Sequence, residues 1–149
     1  MNEIFKEEKL KDIWEEMLPI FHTHYKEIAY YQDIPLNPDR ESYFKIEELG
    51  NIKTFTAREN GELIGYSMYF IKHNLHYKDS LQALQDIIYI KKEKRGFGKT
   101  FIKWCDNRLR EFGVQVVCHH VKVAHDWSKI LENMGYEKQD ILLTKRLDK

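Results

Sequence analysis

Long apolar runs are missing from this 149-residue chain. Its hydrophobic residues, 42% of the total, fall in short groups, and none approaches the length needed to cross a membrane. The opening stretch, MNEIFKEEKLKDIWEE, has neither the basic start nor the apolar centre of a secretory signal. Net charge is missing too: 24 Lys and Arg balance 24 Asp and Glu, so no general polyanion-binding surface and no specific nucleic-acid partner is expected. Only two cysteines occur, Cys105 and Cys118, without the spacing of a metal site, and both are read as reduced core residues. His22 and His24 cannot share an ion, because residues two apart on a helix face away from each other. No repeat, linker or low-complexity tract divides the chain, so residues 1–149 are expected to form one soluble, cytoplasmic domain with no metal and no membrane partner. A homodimer is compatible with this composition.

What is present is a mixed α/β pattern. Leu10, Ile13, Trp14, Met17, Phe21, Tyr25 and Ile28 recur at helical spacing, and Pro19 inside that run predicts a kink or a break near Leu18. A second helix is expected with Asn37 as its cap, Pro38 in first position and Gly50 past its end, with Tyr43, Phe44 and Ile46 facing the core. Two strand-like runs flank Asn60-Gly61, the dipeptide of a tight hairpin. LQALQDIIYI reads as a third strand, and 99–112 returns to helical spacing closed by Gly113. VQVVCHHVKV reads as a fourth strand, WSKILENM as a short helix behind Asp126, and DILLTKRL as a last strand.

Between the third strand and the helix stands KRGFGKT, residues 94–100. A strand that runs through a glycine-bearing loop into a helix presents unpaired N–H groups at a helix N-terminus, a setting that favours an anion such as phosphate. Arg95 and Lys99 add positive charge, Thr100 a hydroxyl, and glycine lets a ligand approach the main chain. A Walker loop would need glycine at position 93, where Glu93 stands, and a dinucleotide fingerprint would need three glycines, where only Gly96 and Gly98 exist. Both are excluded by spacing.

YIKKEKRGFGKTFIKW resembles the acyl-CoA loop of the GCN5-related N-acetyltransferases, Arg/Gln-x-x-Gly-x-Gly/Ala. Arg95, Gly98 and Thr100 stand at its places, Thr100 departing from the usual small residue. The order of elements from about Asp12 to Leu147 is similar to that family's, and Gly135-Tyr136 in LENMGYE stands where the family has Gly-Phe. LHYKDSLQALQDIIYI and the stretch HHVKVAHDWSKILENMGYEKQDILLTKRL look like a subgroup often encoded by tailed bacteriophages. The resemblance implies a single-domain α/β fold: a mixed, mostly antiparallel central sheet flanked by helices, with two central strands splayed apart. It implies acetyl-CoA as co-substrate and direct acetyl transfer to the primary amine of a small molecule or a protein.

On that resemblance, the backbone of Ile88, Tyr89 and Ile90 would pair with pantetheine, and Arg95, Gly96, Phe97, Gly98, Lys99 and Thr100 would hold the diphosphate. An amine must be neutral to attack, so a base is needed. Asp86, among apolar neighbours on the third strand, is one candidate, with a structural aspartate at a strand irregularity as the alternative reading. His119 and His120 are others, although consecutive strand residues point to opposite faces, and a buried structural histidine is the alternative for each. Leu131 occupies the place where the family often has a proton-donating tyrosine, which leaves Tyr77 or a histidine for that task. Glu27, Asp33 and Asp39 hint at a cationic acceptor. A fold kept for binding CoA or a host protein, without chemistry, is the competing reading.

Overall fold

A computed structural model describes residues 3–149. The elements run β1 (Glu3–Glu7), α1 (Leu10–Ile28), α2 (Arg40–Glu48), β2 (Ile52–Glu59), β3 (Glu62–His73), β4 (Leu81–Ile90), a 3-10 turn (Lys92–Phe97), α3 (Gly98–Phe112), β5 (Val116–Cys118) and α4 (Ser128–Asn133). The strands form one sheet in the order β1-β2-β3-β4-β5, antiparallel except for the parallel β4–β5 pair. This is the mixed, mostly antiparallel α/β architecture that the sequence implied. The turn between β2 and β3 has φ of 51° at Asn60 and 83° at Gly61, the positive values that suit Asn-Gly to a tight hairpin.

Each face of the sheet carries its own core. Trp14, Met17 and Phe21 of α1 meet Leu63, Tyr66, Met68 and Tyr89 on one face. Phe101, Cys105 and Leu109 of α3 meet Phe55, Tyr69, Ile71 and Ala83 on the other. Helix α1 runs on through Pro19 without the break that was one of the two expected outcomes. Pro19 is exposed, and buried Trp14, Met17, Phe21 and His24 hold the same stripe on the sheet before and after it. The cap of α2 is Asp39 rather than Asn37: its carboxylate accepts from the Ser42 N–H at 3.1 Å and from the Ser42 hydroxyl at 2.7 Å. Helix α2 in turn caps α1, where Glu47 accepts from the N–H groups of Leu10 and Lys11.

Strand β4 contains the irregularity that matters most. Met68 pairs with Ile87 and Tyr69 with Gln85, so Asp86 is an extra, unpaired residue. A bulge of one residue reverses the side-chain alternation beyond it. Ala83 therefore faces the α3 core, whereas Ile87 and Tyr89 face the α1 core.

The fourth strand is shorter than expected. β5 holds only Val116–Cys118, paired to Gln82, Ala83 and Leu84. Beyond it the chain leaves the sheet as His119 turns into a cage of Tyr69, Trp127 and Tyr136. With so little edge on offer, DILLTKRL forms no strand: Ile141, Leu142 and Leu143 are exposed. Side chains dock this segment instead, Tyr31 Oη lying 2.8 Å from Thr144 Oγ1 and Arg146 donating to Asp33 at 2.9 Å. Among the described residues, no helix is long and apolar enough to cross a membrane.

Candidate active site

Because β4 continues to Ile90 while its pairing with β5 ends at Leu84, the strands part and leave the β5-facing edge of residues 86–90 open. Gln85 closes the inner end of the gap. Its side-chain oxygen accepts from the His120 N–H at 3.2 Å, and its carbonyl lies 2.6 Å from His120 Nε2. Outward from there lies a cleft of about 660 Å³, walled by β4, the last turns of α1, the start of α3 and the segment 120–130.

Of the residues proposed from sequence, Asp86, His120, Ile88, Tyr89, Ile90, Arg95, Gly96, Gly98 and Lys99 line this cleft together. His119, Phe97 and Thr100 do not. His119 points away from it, and both of its ring nitrogens are shut from solvent without a partner. Phe97 packs on Phe5 and Phe101, with ring centroids 5.9 and 6.4 Å apart, because the 3-10 turn rotates this apolar side chain onto the core. Thr100 is exposed on the first turn of α3, outside the lining.

The glycine loop is less open than the sequence suggested. The Lys94 N–H donates to the Lys91 carbonyl at 2.8 Å, and the Gly98 N–H donates to the Arg95 carbonyl. Part of the expected set of free donors is therefore engaged. What remains is the start of α3, where Phe97 at the cap position supplies no side-chain acceptor for the first-turn N–H groups. A Cβ built on Gly96 would meet no atom within 4 Å, so no packing within the protein requires glycine at this position of the cleft lining.

The cations are largely paired: Lys91 with Glu62 and Lys94 with Glu59, each at 2.6 Å. Arg95 donates to the Ile90 carbonyl at 3.0 Å and to Glu27 of α1 at 2.8 Å, with its guanidinium over the Tyr89 ring. The Glu27–Arg95 pair thus joins the two walls of the cleft at its rim.

Asp86 is half-buried, and its Oδ2 accepts from the Tyr43 hydroxyl at 2.6 Å. Burial pushes its carboxyl above the ordinary aspartate value, more than the Tyr43 bond and nearby His120 pull it down. A carboxylate with raised basicity at a strand bulge, facing a cleft, suits proton abstraction from a bound amine.

Two histidines given no role in the site by the sequence also line the cleft. His24 is buried against Tyr89, ring centroids 4.5 Å apart, and burial lowers its imidazole to about 4, so it is neutral at pH 7. Its signal was its place one turn beyond Phe21 on the apolar stripe of α1. His125 lines the cleft from the segment before α4, whereas Tyr77 stands on the β3–β4 loop outside it. Leu131 is buried in α4. Among the described residues, no group of three or more His, Cys, Asp or Glu is placed to hold a metal.

The carboxylates expected to meet a cationic acceptor are otherwise occupied. Glu27 holds Arg95, Asp33 holds Arg146 and Lys149, and Asp39 caps α2.

No family model matches the sequence, and no curated protein matches it. Solved structures do match the fold. An aminoglycoside acetyltransferase from an uncultured soil metagenomic sample, in complex with trehalose, superposes with a TM-score of 0.74 at 15% identity, over 97% of this chain and 96% of that one. A ribosomal-protein-alanine N-acetyltransferase of Brucella melitensis biovar Abortus 2308 gives 0.72 at 17% identity, over 98% and 99%. A predicted acetyltransferase of Clostridium acetobutylicum, solved with acetyl-CoA, gives 0.70 at 14% identity, over 98% and 97%. The chain has the fold of these acetyltransferases, in agreement with the fold that the sequence resemblance implied.

Proposed function

We propose that this protein is an acetyltransferase of the GCN5-related type, moving an acetyl group from acetyl-CoA to a primary amine. The observation that carries the reading is the parting of β4 from β5 beyond Leu84, next to an α3 start without a side-chain cap. An open strand edge can pair with the amides of pantetheine as a further strand would. Arg95 stands at the rim, and its guanidinium can exchange the Glu27 carboxylate for a phosphate oxygen. The solved neighbours support acetyl transfer as the general chemistry, and their names span aminoglycosides, ribosomal-protein alanine and glucosamine-6-phosphate. One fold serving such different acceptors carries none of them over to this chain.

In the reaction the amine nitrogen, having lost its proton to Asp86, attacks the thioester carbonyl. The C–N bond forms, the now cationic nitrogen of the tetrahedral intermediate gives up its second proton to water, the intermediate collapses, and the C–S bond breaks to release CoA thiolate. With leucine at 131, the thiolate takes its proton from His120, His125 or water. Leu131 also favours a second reading, in which the fold binds CoA without transfer.

Incubation with acetyl-CoA and a panel of amines and peptides, followed by mass spectrometry, separates the two: a product heavier by one acetyl group supports transfer, and tight acetyl-CoA binding without product supports the binding module. Arg95→Ala should weaken acetyl-CoA binding by about ten- to hundredfold, the worth of a charged hydrogen bond to phosphate. Unchanged affinity by calorimetric titration would remove the loop from the reading.

A further inference from the structure

The main cleft is not the only hollow on this side of the sheet. A second groove of about 540 Å³ lies between the end of α1, the α1–α2 connection and Thr144 of the C-terminal segment. It meets the main cleft at His24, Ile28, Ile87 and Lys122, which line both. Its wall includes Tyr43, the residue that donates to Asp86. A molecule seated here and extending past Ile87 into the main cleft would approach the candidate base.

The groove's chemistry is set by how its polar atoms are already engaged. Phe21, Tyr25, Tyr31, Ile34, Leu36 and Tyr43 form much of its wall. The Tyr25 hydroxyl lies among the carbonyls of Tyr31, Gln32 and Ile34 and has one proton to donate to them, the Tyr31 hydroxyl bonds Thr144, and the Tyr43 hydroxyl goes to Asp86. Three tyrosines thus offer ring surface rather than hydroxyls. Asp33, on the same connection, is neutralised by Arg146 and Lys149. Lys122 adds positive charge where the two hollows join, which disfavours a second cationic centre on the ligand.

We propose that this groove seats the apolar body of a monoamine acceptor, an aryl or aliphatic primary amine, and that it selects against polyamines. The inference rests on the transferase reading above and names the acceptor class for that same site. Burial of a ring or alkyl chain on the tyrosine faces supplies the affinity, and the single nitrogen reaches toward Asp86.

The test is direct calorimetric titration of the protein with phenethylamine and with spermidine, alongside rates of CoA release for each. Phenethylamine should be favoured by at least about tenfold, the range that a fitted hydrophobic pocket provides. Ile34 is half-exposed, so Ile34→Asp should fold normally, place an unpaired carboxylate in the groove and bring spermidine level with phenethylamine. Spermidine binding as well as phenethylamine in the unaltered protein, binding of neither amine, or a preference untouched by Ile34→Asp would each overturn the proposal. Failure of acetyl-CoA itself to bind would sink the transferase reading instead, while direct titration still reports the groove's choice between the amines.

Discussion

Strand β4 has two edges with opposite fates. Against β3 it is paired from Leu81 to Ile90, with one residue of slack at Asp86. Against β5 it is paired over Gln82–Leu84 and then left open. The first edge makes the strand part of a rigid sheet with a core on each face; the second leaves backbone donors and acceptors beside a cleft. Rigidity and availability in one strand are compatible because a strand offers its hydrogen bonds sideways and its side chains up and down. The partner for the missing bonds is, on the reading advanced here, the co-substrate.

If the closed side is the stabilising half, the largest effect should come from Phe55, which is 1% exposed and packs on Tyr69 and Trp104. Phe55→Ala is expected to cost about 3–5 kcal/mol in urea unfolding. A loss below about 1 kcal/mol would mean that the paired half is not where stability resides.

The open side should respond in activity rather than in folding. Asp86→Asn keeps an acceptor for the Tyr43 hydroxyl and removes the base, so turnover should fall about a hundredfold or more with acetyl-CoA affinity unchanged. In the unaltered protein the rate should rise with pH through a value above the ordinary aspartate one, and the Asn variant should lose that limb. Because the folded-state pKa of Asp86 is raised, its contribution to stability is present at low pH and lost as pH rises through that value, so Asp86→Asn should not destabilise the fold at pH 7. Full activity in the variant would exclude Asp86 as the base.

His119 and His120 sharpen the comparison within two residues: the first is caged by three aromatic rings and the second joins Gln85 at the head of the cleft. Burial lowers both His119 and His24 from 6.5 to about 4. The unfolded chain then binds protons that the folded chain refuses, so stability present above pH 6.5 is lost as pH falls toward 4, by up to roughly 3 kcal/mol for each histidine. His119→Phe should fit the aromatic cage, leave turnover intact and flatten the acid limb of an unfolding-versus-pH curve. A large loss of turnover would bring His119 back into the chemistry.

The smallest effect is expected at the rim. Glu27→Gln frees Arg95 and removes a negative charge beside the diphosphate position, so acetyl-CoA should bind about two- to fivefold more tightly, as suits a partly exposed ion pair. Weaker binding would mean that Glu27 orients Arg95 for the ligand rather than competing with it.

Much of the closed side was legible in the sequence. Asn60-Gly61, the run from Leu81 to Ile90, and the stripe of Phe101, Cys105 and Leu109 each carry a local signal strong enough to fix an element. β1 was missed because Phe5 reaches the core while Ile4 is exposed, and two apolar residues among charges make too short a pattern to read. The open side was legible in composition but not in arrangement. Asp86, Arg95 and Gly96 could be named, yet the 3-10 winding of Lys92–Phe97 and the removal of Phe97, Thr100 and His119 from the cleft could not be read from spacing.

The sequence by itself determined the order of elements from α1 to α4, the turn at Asn60-Gly61 and the residue types around the cleft. These depend on neighbours a few positions away, through helical and strand periodicity and the backbone freedom of glycine and asparagine. Tertiary structure alone decided that β5 stops at Cys118, that Asp86 bulges, that Arg95 meets Glu27 68 residues away, and that the final apolar segment stays out of the sheet. Each is a competition among distant partners for one backbone edge or one charge, and a local pattern carries no record of which partner wins.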